Sequence, residues 1–102
     1  MRGLIQRILI SILKSVKVYI SGTVQGVMFR KFIEEQANLI GVRGFVRNMS
    51  DGRVEAIIEG INEKVDKMIE ICKTGNKHAQ IRNIDVQEIK YNGFEGFKIS
   101  KL

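Results

Sequence analysis

Apolar and polar residues alternate along 16–21 with the two-residue period of a half-buried strand. From residue 29 onward the apolar positions recur at helical spacing instead, and Gly41 marks the end of that helical pattern. The change of period predicts a strand that begins at Val16 and a helix over 29–40. The apolar positions of the predicted helix are Phe29, Phe32, Ile33, Ala37 and Ile40.

The same two periods predict the other elements of the chain. Strands over 44–49 and 54–59 flank the short turn Ser50-Asp51-Gly52, which indicates a hairpin. A second helix is predicted to open at Gly60 and to stop near Gly75. A fourth strand runs from Ile81 to Tyr91, and a short final strand carries Phe94, Phe97 and Ile99.

The predicted element order is strand, helix, strand, strand, helix, strand. This order is typical of a ferredoxin-like α+β two-layer sandwich (βαββαβ), with an antiparallel sheet and two helices on one face. Many unrelated functions occur on this fold, so the function must be argued from a site.

The first fifteen residues form a separate segment of the sequence, because apolar residues recur there as adjacent pairs every four positions. We therefore divide the chain into an amphipathic N-terminal extension, 1–15, and a domain over 16–102. The extension is too short to cross a bilayer, and it lacks the small-residue cleavage site of a secretory signal. It is expected to pack on the domain or to self-associate with a second copy. Two different explanations of the extension are binding to a membrane surface and a true start codon further downstream.

Charge and cysteine content restrict the chemistry. The chain has 102 residues, a net charge of +6 and a pI near 9.7, which favours anionic partners. With one cysteine, Cys72, and one histidine, His78, no metal site and no cysteine mechanism is predicted. Cys72 is expected in the core and His78 in a solvated loop. The missing export signal and the lone cysteine favour a cytoplasmic location.

The loop between the first strand and the first helix has the composition of an anion site. Gly22 and Gly26 allow a tight turn whose backbone amides point at a ligand at a helix N-terminus. Arg30 lies in the first helical turn, where a cation opposes the macrodipole by a few tenths of a kcal/mol unless an anion is bound. Its guanidinium could hold two phosphate oxygens in parallel. The same pattern would also fit a surface arginine beside an ordinary turn.

Two segments then resemble the signatures of the acylphosphatase family. Residues 20–30 match the first signature throughout, and Gly44-Phe45-Val46-Arg47-Asn48, followed by Gly52, Val54 and Gly60, matches the second. The resemblance covers residues 16–102 and implies hydrolysis of an acyl phosphate to a carboxylate and inorganic phosphate, without metal or cofactor. It implies that Arg30 binds the phosphoryl group and that Asn48 orients the attacking water. The loop amides that would hold the phosphoryl oxygens are those of Gln25, Gly26, Val27, Met28, Phe29 and Arg30.

Three further functions fit parts of the sequence. An RRM-like module that binds single-stranded nucleic acid shares the element order, and Arg43-Gly44-Phe45 resembles the start of its aromatic signature, but further aromatic residues do not follow. The chain could also be a relative of the acylphosphatase-like modules in carbamoyl-transfer maturation proteins, or a regulatory phosphate-binding domain without turnover. Asn48 could be a turn-capping residue. We expect a small-molecule acyl phosphate as substrate, phosphate as product inhibitor, and neither nucleic acid binding nor stable membrane insertion.

Overall fold

The computed structural model describes residues 2–101, and statements about side chains exclude residues 2 and 9–11. Three helices and five strands follow one another along the chain. Their bounds are α1 Arg2–Ile12, β1 Leu13–Thr23, α2 Phe29–Ile40, β2 Arg43–Asn48, β3 Val54–Ile61, α3 Asn62–Thr74, β4 Gln80–Ile89 and β5 Phe97–Ile99.

The five strands form one sheet in the order β4-β1-β3-β2-β5. The pairs β1–β3, β1–β4 and β2–β3 are antiparallel, as the predicted ferredoxin-like fold requires. The short strand β5 adds one parallel pair with β2 at the sheet edge, where Val46 lies opposite Ile99. The predicted fold class is confirmed, and among residues 2–101 β5 is the one departure from a purely antiparallel sheet.

The core lies between one face of the sheet and helices α2 and α3. Alternate residues of the two central strands are buried on this face, as the two-residue period requires. The helices contribute apolar residues three and four positions apart, which places them on one stripe. The principal contacts come from Val16, Val18, Ile20, Ala56, Ile58, Phe29, Ile33, Ala37, Val65, Met68 and Cys72.

Several boundaries differ from the prediction. β1 begins at Leu13 rather than Val16, because residues 13–15 continue the ladder with β3. Gly60 and Ile61 end β3 instead of opening α3. Phe94 lies outside β5, and its ring packs edge-on against Phe45 with a centroid distance of 5.7 Å. In each case a contact with a distant part of the chain decides the boundary.

A buried carboxylate holds the segment that leads into β5. Glu59 lies at 0 % exposure, and its two carboxylate oxygens accept hydrogen bonds from the backbone amides of Asn92 and Phe94. Arg43 also bonds the hydroxyl of Tyr91 from the neighbouring strand. These bonds fix residues 91–94 against the sheet and so set the position of β5 and its last residue, Ile99.

Candidate active site

The loop 24–28 between β1 and α2 has an unusual backbone. Gly26 and Met28 both have left-handed φ angles, 76° and 61°, and Met28 is the one non-glycine residue with positive φ among residues 2–101. Such a conformation costs a side-chain-bearing residue roughly 1–2 kcal/mol. Backbone strain of this kind is concentrated at functional sites. The loop therefore keeps a shape that its local preferences disfavour.

A glycine lies near the end of β1, two positions before this loop. Gly22 has a φ of 135° at a register shift in the pairing of β1 with β4. A Cβ atom at Gly22 would lie 2.0 Å from the carbonyl oxygen of Gln80. The close approach of β4 thus requires glycine at this position.

Two amide side chains hold the loop from opposite sides. The Nε2 of Gln25 donates to the carbonyl oxygens of Met49 at 2.8 Å and Arg53 at 2.9 Å, both in the β2–β3 turn. From the α3–β4 connection, the Nδ2 of Asn76 donates to the carbonyl oxygen of Val27 at 3.1 Å. These bonds offset the strain of the left-handed residues and leave the loop amides in a defined place.

The loop ends at the N-terminus of α2, which carries no local compensation for its dipole. Met28 precedes the helix without a side-chain cap, and the first turn contains no acidic residue. The first α-helical bond is donated by the amide of Phe32 to the carbonyl of Met28, at 3.0 Å. The amides at 29–31 precede that bond, and such groups at a helix start bind anions.

Arg30 projects from this first turn without a partner among residues 2–101. Arg47 and Arg53 pair with Glu55 and Asp51 at 2.7 and 2.9 Å, whereas half-buried Arg30 has neither a hydrogen bond nor an ion pair there. Arg30 also lines a pocket with a volume of ≈ 230 Å³. The other residues of the pocket are Val24, Gly26, Met28, Phe29, Lys31 and Ile99.

Asn48 ends β2 at the same end of the sheet as the loop. It lies opposite Val54 of β3, and Val54 in turn lies opposite Ile20 near the end of β1. Opposed residues of antiparallel strands share a face, so Asn48 points to the face that carries α2. Its Oδ1 is buried and accepts no hydrogen bond within the described chain. With strands about 4.8 Å apart, Asn48 is about 10 Å from β1.

The structure thus brings most of the predicted site residues to one corner of the sheet. Gly26, Met28, Phe29 and Arg30 line one pocket, and Asn48 is in the strand two places from β1. The side chain of Gln25 is turned to the β2–β3 turn and serves as an anchor. Its role and those of the other loop amides in phosphate binding stay predictions.

Sequence reasoning missed three residues of this corner: Asn76, Lys31 and Ile99. An asparagine directly after the helix-ending Gly75 is a signal for a side-chain turn, and the Oδ1 of Asn76 indeed accepts from the amides of His78 and Ala79. Nothing in the pattern indicates that its Nδ2 reaches Val27, because that contact spans 49 positions.

The two residues considered for other chemistry lie elsewhere. Cys72 is buried in α3, as expected, and its burial raises the pKa of the thiol to about 12. His78 is exposed in the α3–β4 connection. Among residues 2–101 no three histidine, cysteine or acidic side chains are grouped closely enough to hold a metal ion.

Comparisons with known proteins agree with this geometry. The family model described as Acylphosphatase matches residues 16–99. The acylphosphatase of Methanocella arvoryzae is 42% identical over 87 residues, which cover 85% of this chain and 99% of that protein. The crystal structure of acylphosphatase from Bacillus subtilis superposes with a TM-score of 0.83 at 32% identity, over 85% of this chain and 98% of that one. A T. kodakarensis HypF structure matches with a TM-score of 0.72 at 34% identity, over 85% of this chain but 12% of that one.

Proposed function

The chain belongs to the acylphosphatase family, whose activity is the hydrolysis of acyl phosphates, and we propose that Arg30, the loop amides and Asn48 perform that reaction here. The products are a carboxylate and inorganic phosphate. The observation that carries the assignment is Arg30, which has no partner among residues 2–101 and lies in the first turn of a helix with no acidic residue in that turn and no side-chain cap.

The phosphoryl group binds at the pocket that Arg30 lines. Its oxygens accept hydrogen bonds from the amides of residues 25–30 and from the guanidinium, whose two parallel donors match two phosphate oxygens. The bound dianion reverses the unfavourable placement of a cation at the positive end of the helix dipole. The anchors from Gln25 and Asn76 keep these donors in place before the substrate arrives. Donors that are already oriented need no reorganisation during the reaction.

Asn48 orients the water that attacks phosphorus. Its Oδ1 is a buried acceptor that the described protein leaves unsatisfied, at a cost of about 1–3 kcal/mol. A water molecule that donates to this oxygen recovers the cost. Because the amide is neutral, it does not repel the dianionic phosphoryl group as a carboxylate would.

The leaving group explains why the site needs no strong general acid. A departing carboxylate is stable near neutral pH and requires little protonation. What remains for the protein is positioning and stabilisation of charge, the dominant contributions in phosphoryl transfer. Arg30, the amides and Asn48 supply these contributions.

The first test is the hydrolysis of benzoyl phosphate, in the presence of EDTA, by the wild-type chain and by Arg30→Ala. Loss of a charged donor from such a site lowers kcat/KM by about 10²–10³-fold. Arg82→Ala is the matched control, because Arg82 is an exposed arginine of β4 that does not line the pocket. Activity of Arg30→Ala within about fivefold of wild type would contradict the role given to Arg30. Inactivation of the wild type by EDTA would contradict the metal-free reaction.

One further expectation depends on this assignment. Inorganic phosphate should inhibit competitively, because the product offers the same oxygens as the substrate. A cytoplasmic location stays a prediction from the sequence.

A further inference from the structure

The N-terminal helix α1 exposes a stripe of large aliphatic side chains. Leu4, Ile5, Ile8 and Ile12 are 62%, 58%, 52% and 45% exposed. At 100° per residue these four positions fall within an arc of about 100° on the helix. The other large exposed apolar residues, such as Leu39 and Val86, lie singly on separate elements. The stripe is thus a continuous apolar face, which a water-exposed helix does not need.

Cations and no acids accompany this stripe. The first fifteen residues contain Arg2, Arg7 and Lys14 and neither aspartate nor glutamate. Lys14 forms an ion pair with Asp66 at 2.8 Å, which ties the start of β1, directly after α1, to α3. Arg7 is exposed and lies about 60° beyond the edge of the apolar arc. An apolar face with an exposed cation beside it complements a surface that has an apolar interior and an anionic outer layer.

We propose that α1 docks on an anionic lipid bilayer, with its four aliphatic side chains in the interface and Arg7 among the headgroups. Eleven residues make a helix about 16 Å long, which is half the thickness of the hydrocarbon core. Within residues 2–101 no helix is long and apolar enough to cross a membrane. The association is therefore peripheral, and the helix lies parallel to the surface.

A second copy of the chain is a poorer occupant of this face. A stable dimer buries roughly 800 Å² on each partner, whereas a helix about 16 Å long and about 10 Å wide offers far less. Pairing two copies would also bring two acid-free segments together, so that their positive charges would repel each other. A bilayer needs no minimum area of this kind, because affinity rises with each buried side chain.

The geometry keeps the docking helix away from the catalytic corner. α1 leads directly into the first residue of β1, and the loop 24–28 follows its last residue. Eleven strand residues span about 36 Å, and the whole molecule is 49 Å long. A membrane-bound molecule thus leaves the Arg30 pocket open to water. The proposal does not depend on the chemistry assigned to that pocket.

The test is flotation of the full chain with vesicles of phosphatidylcholine containing 30% phosphatidylglycerol, alongside vesicles of phosphatidylcholine alone. Wild type is expected to float with the anionic vesicles at least tenfold more than with the neutral ones, and less at 0.5 M salt. The double variant Ile5→Glu/Ile8→Glu should lose at least tenfold of this partitioning. Leu39→Glu is the matched control, because Leu39 is 80% exposed on α2, outside the stripe.

Circular dichroism of each variant checks that the domain is folded. Arg7→Glu gives a second route to the same result, since it should weaken binding to anionic vesicles without removing any apolar residue. Absence of wild-type flotation, or equal loss in Leu39→Glu, would overturn the proposal. So would a concentration-dependent dimer in sedimentation equilibrium that Ile5→Glu/Ile8→Glu abolishes, if vesicle binding is absent.

Discussion

At the scale of single residues, Asn48 carries the sharpest prediction about the reaction. Asn48→Ala removes the buried acceptor that we propose orients water but leaves Arg30 and the loop amides in place. We expect kcat for benzoyl phosphate to fall by about 10²-fold, a size typical of lost positioning at a reacting centre. Phosphate should still bind with nearly wild-type affinity, as measured by calorimetric titration.

Two companion variants give this prediction its control. Asn38→Ala alters an exposed asparagine of α2 and should leave both kcat and phosphate affinity unchanged. Asn48→Asp keeps the shape but adds a negative charge, so it should weaken phosphate binding as well as turnover. If Asn48→Ala instead lost phosphate affinity with kcat intact, Asn48 would be a ligand or a turn-capping residue.

The residue scale also marks where sequence reasoning stops. The positive φ of Met28 could not be predicted, because methionine carries no preference for the left-handed region and a glycine lies two positions earlier. The position of Arg30 in the first turn of a helix, by contrast, follows from the apolar spacing of 29–40. The second signature singles out Asn48 as a candidate residue. The burial of its Oδ1 depends on residues that surround it only in the folded chain, so that burial could not be predicted.

At the scale of elements, the α3–β4 connection supports the catalytic loop through Asn76. Asn76→Ala removes the donor to Val27 and leaves the amides of His78 and Ala79 without their acceptor. We expect the free energy of unfolding in urea to drop by about 1–3 kcal/mol. KM for benzoyl phosphate should rise, because the loop amides are less well held.

A variant at an exposed asparagine of β4 distinguishes loss of the loop contact from a general effect of replacing asparagine by alanine. Asn83→Ala should change neither stability nor KM, since Asn83 is exposed on the edge strand β4, opposite Ser21, and makes none of the hydrogen bonds that hold the loop. A stability loss in Asn76→Ala with unchanged KM would show that the connection is merely structural. Unchanged stability and unchanged KM together would mean that the Asn76–Val27 bond does not hold the loop.

Helix α3 supplies a prediction about pH through its buried thiol. Burial raises the pKa of Cys72 to about 12 from its ordinary 9.0, so the folded state keeps the thiol proton to higher pH than the unfolded chain does. The contribution to stability is therefore complete below pH 9 and is lost as pH rises toward 12. Relative to Cys72→Ala, the wild type should lose on the order of 1 kcal/mol of unfolding free energy between pH 8 and pH 10.

Thiol chemistry provides an independent check on the same helix. A protonated, inaccessible thiol does not attack disulfide reagents, so DTNB should label Cys72 in guanidinium and leave native protein at pH 8 unlabelled. Rapid labelling of native protein would contradict burial in the core. Parallel loss of stability with pH in Cys72→Ala would assign the pH effect to other groups.

The elements also show which parts of the fold the apolar spacing can predict. Strand β1 and helix α2 follow from apolar spacing alone, because local pattern and tertiary burial agree there. The spacing also predicts the short final strand but not its parallel pairing with β2, which depends on Glu59 holding Asn92 and Phe94 across 33 and 35 positions. A glutamate in a strand indicates a solvent-facing position, and only the folded chain reveals that its carboxylate satisfies two backbone amides.

At the scale of the whole molecule, the proposed binding of phosphate should be linked to folding. A ligand that binds the folded state alone stabilises it by about 2.7 kcal/mol at a concentration of 100 times its Kd. For a domain of this size each kcal/mol raises Tm by roughly 4–8 °C, so a rise on the order of 10 °C is expected for wild type in saturating phosphate. Differential scanning calorimetry measures it directly.

The comparison of variants assigns the effect to the catalytic corner. Arg30→Ala should lose most of the phosphate-dependent rise in Tm, whereas Arg82→Ala should keep it. Ile5→Glu/Ile8→Glu should also keep it, because α1 and the loop 24–28 lie at opposite ends of β1. If phosphate raised Tm equally in Arg30→Ala, the net charge of +6 rather than the loop would be binding the anion. A full rise in Asn48→Ala together with none in Arg30→Ala would separate the residue that binds phosphate from the residue that orients water.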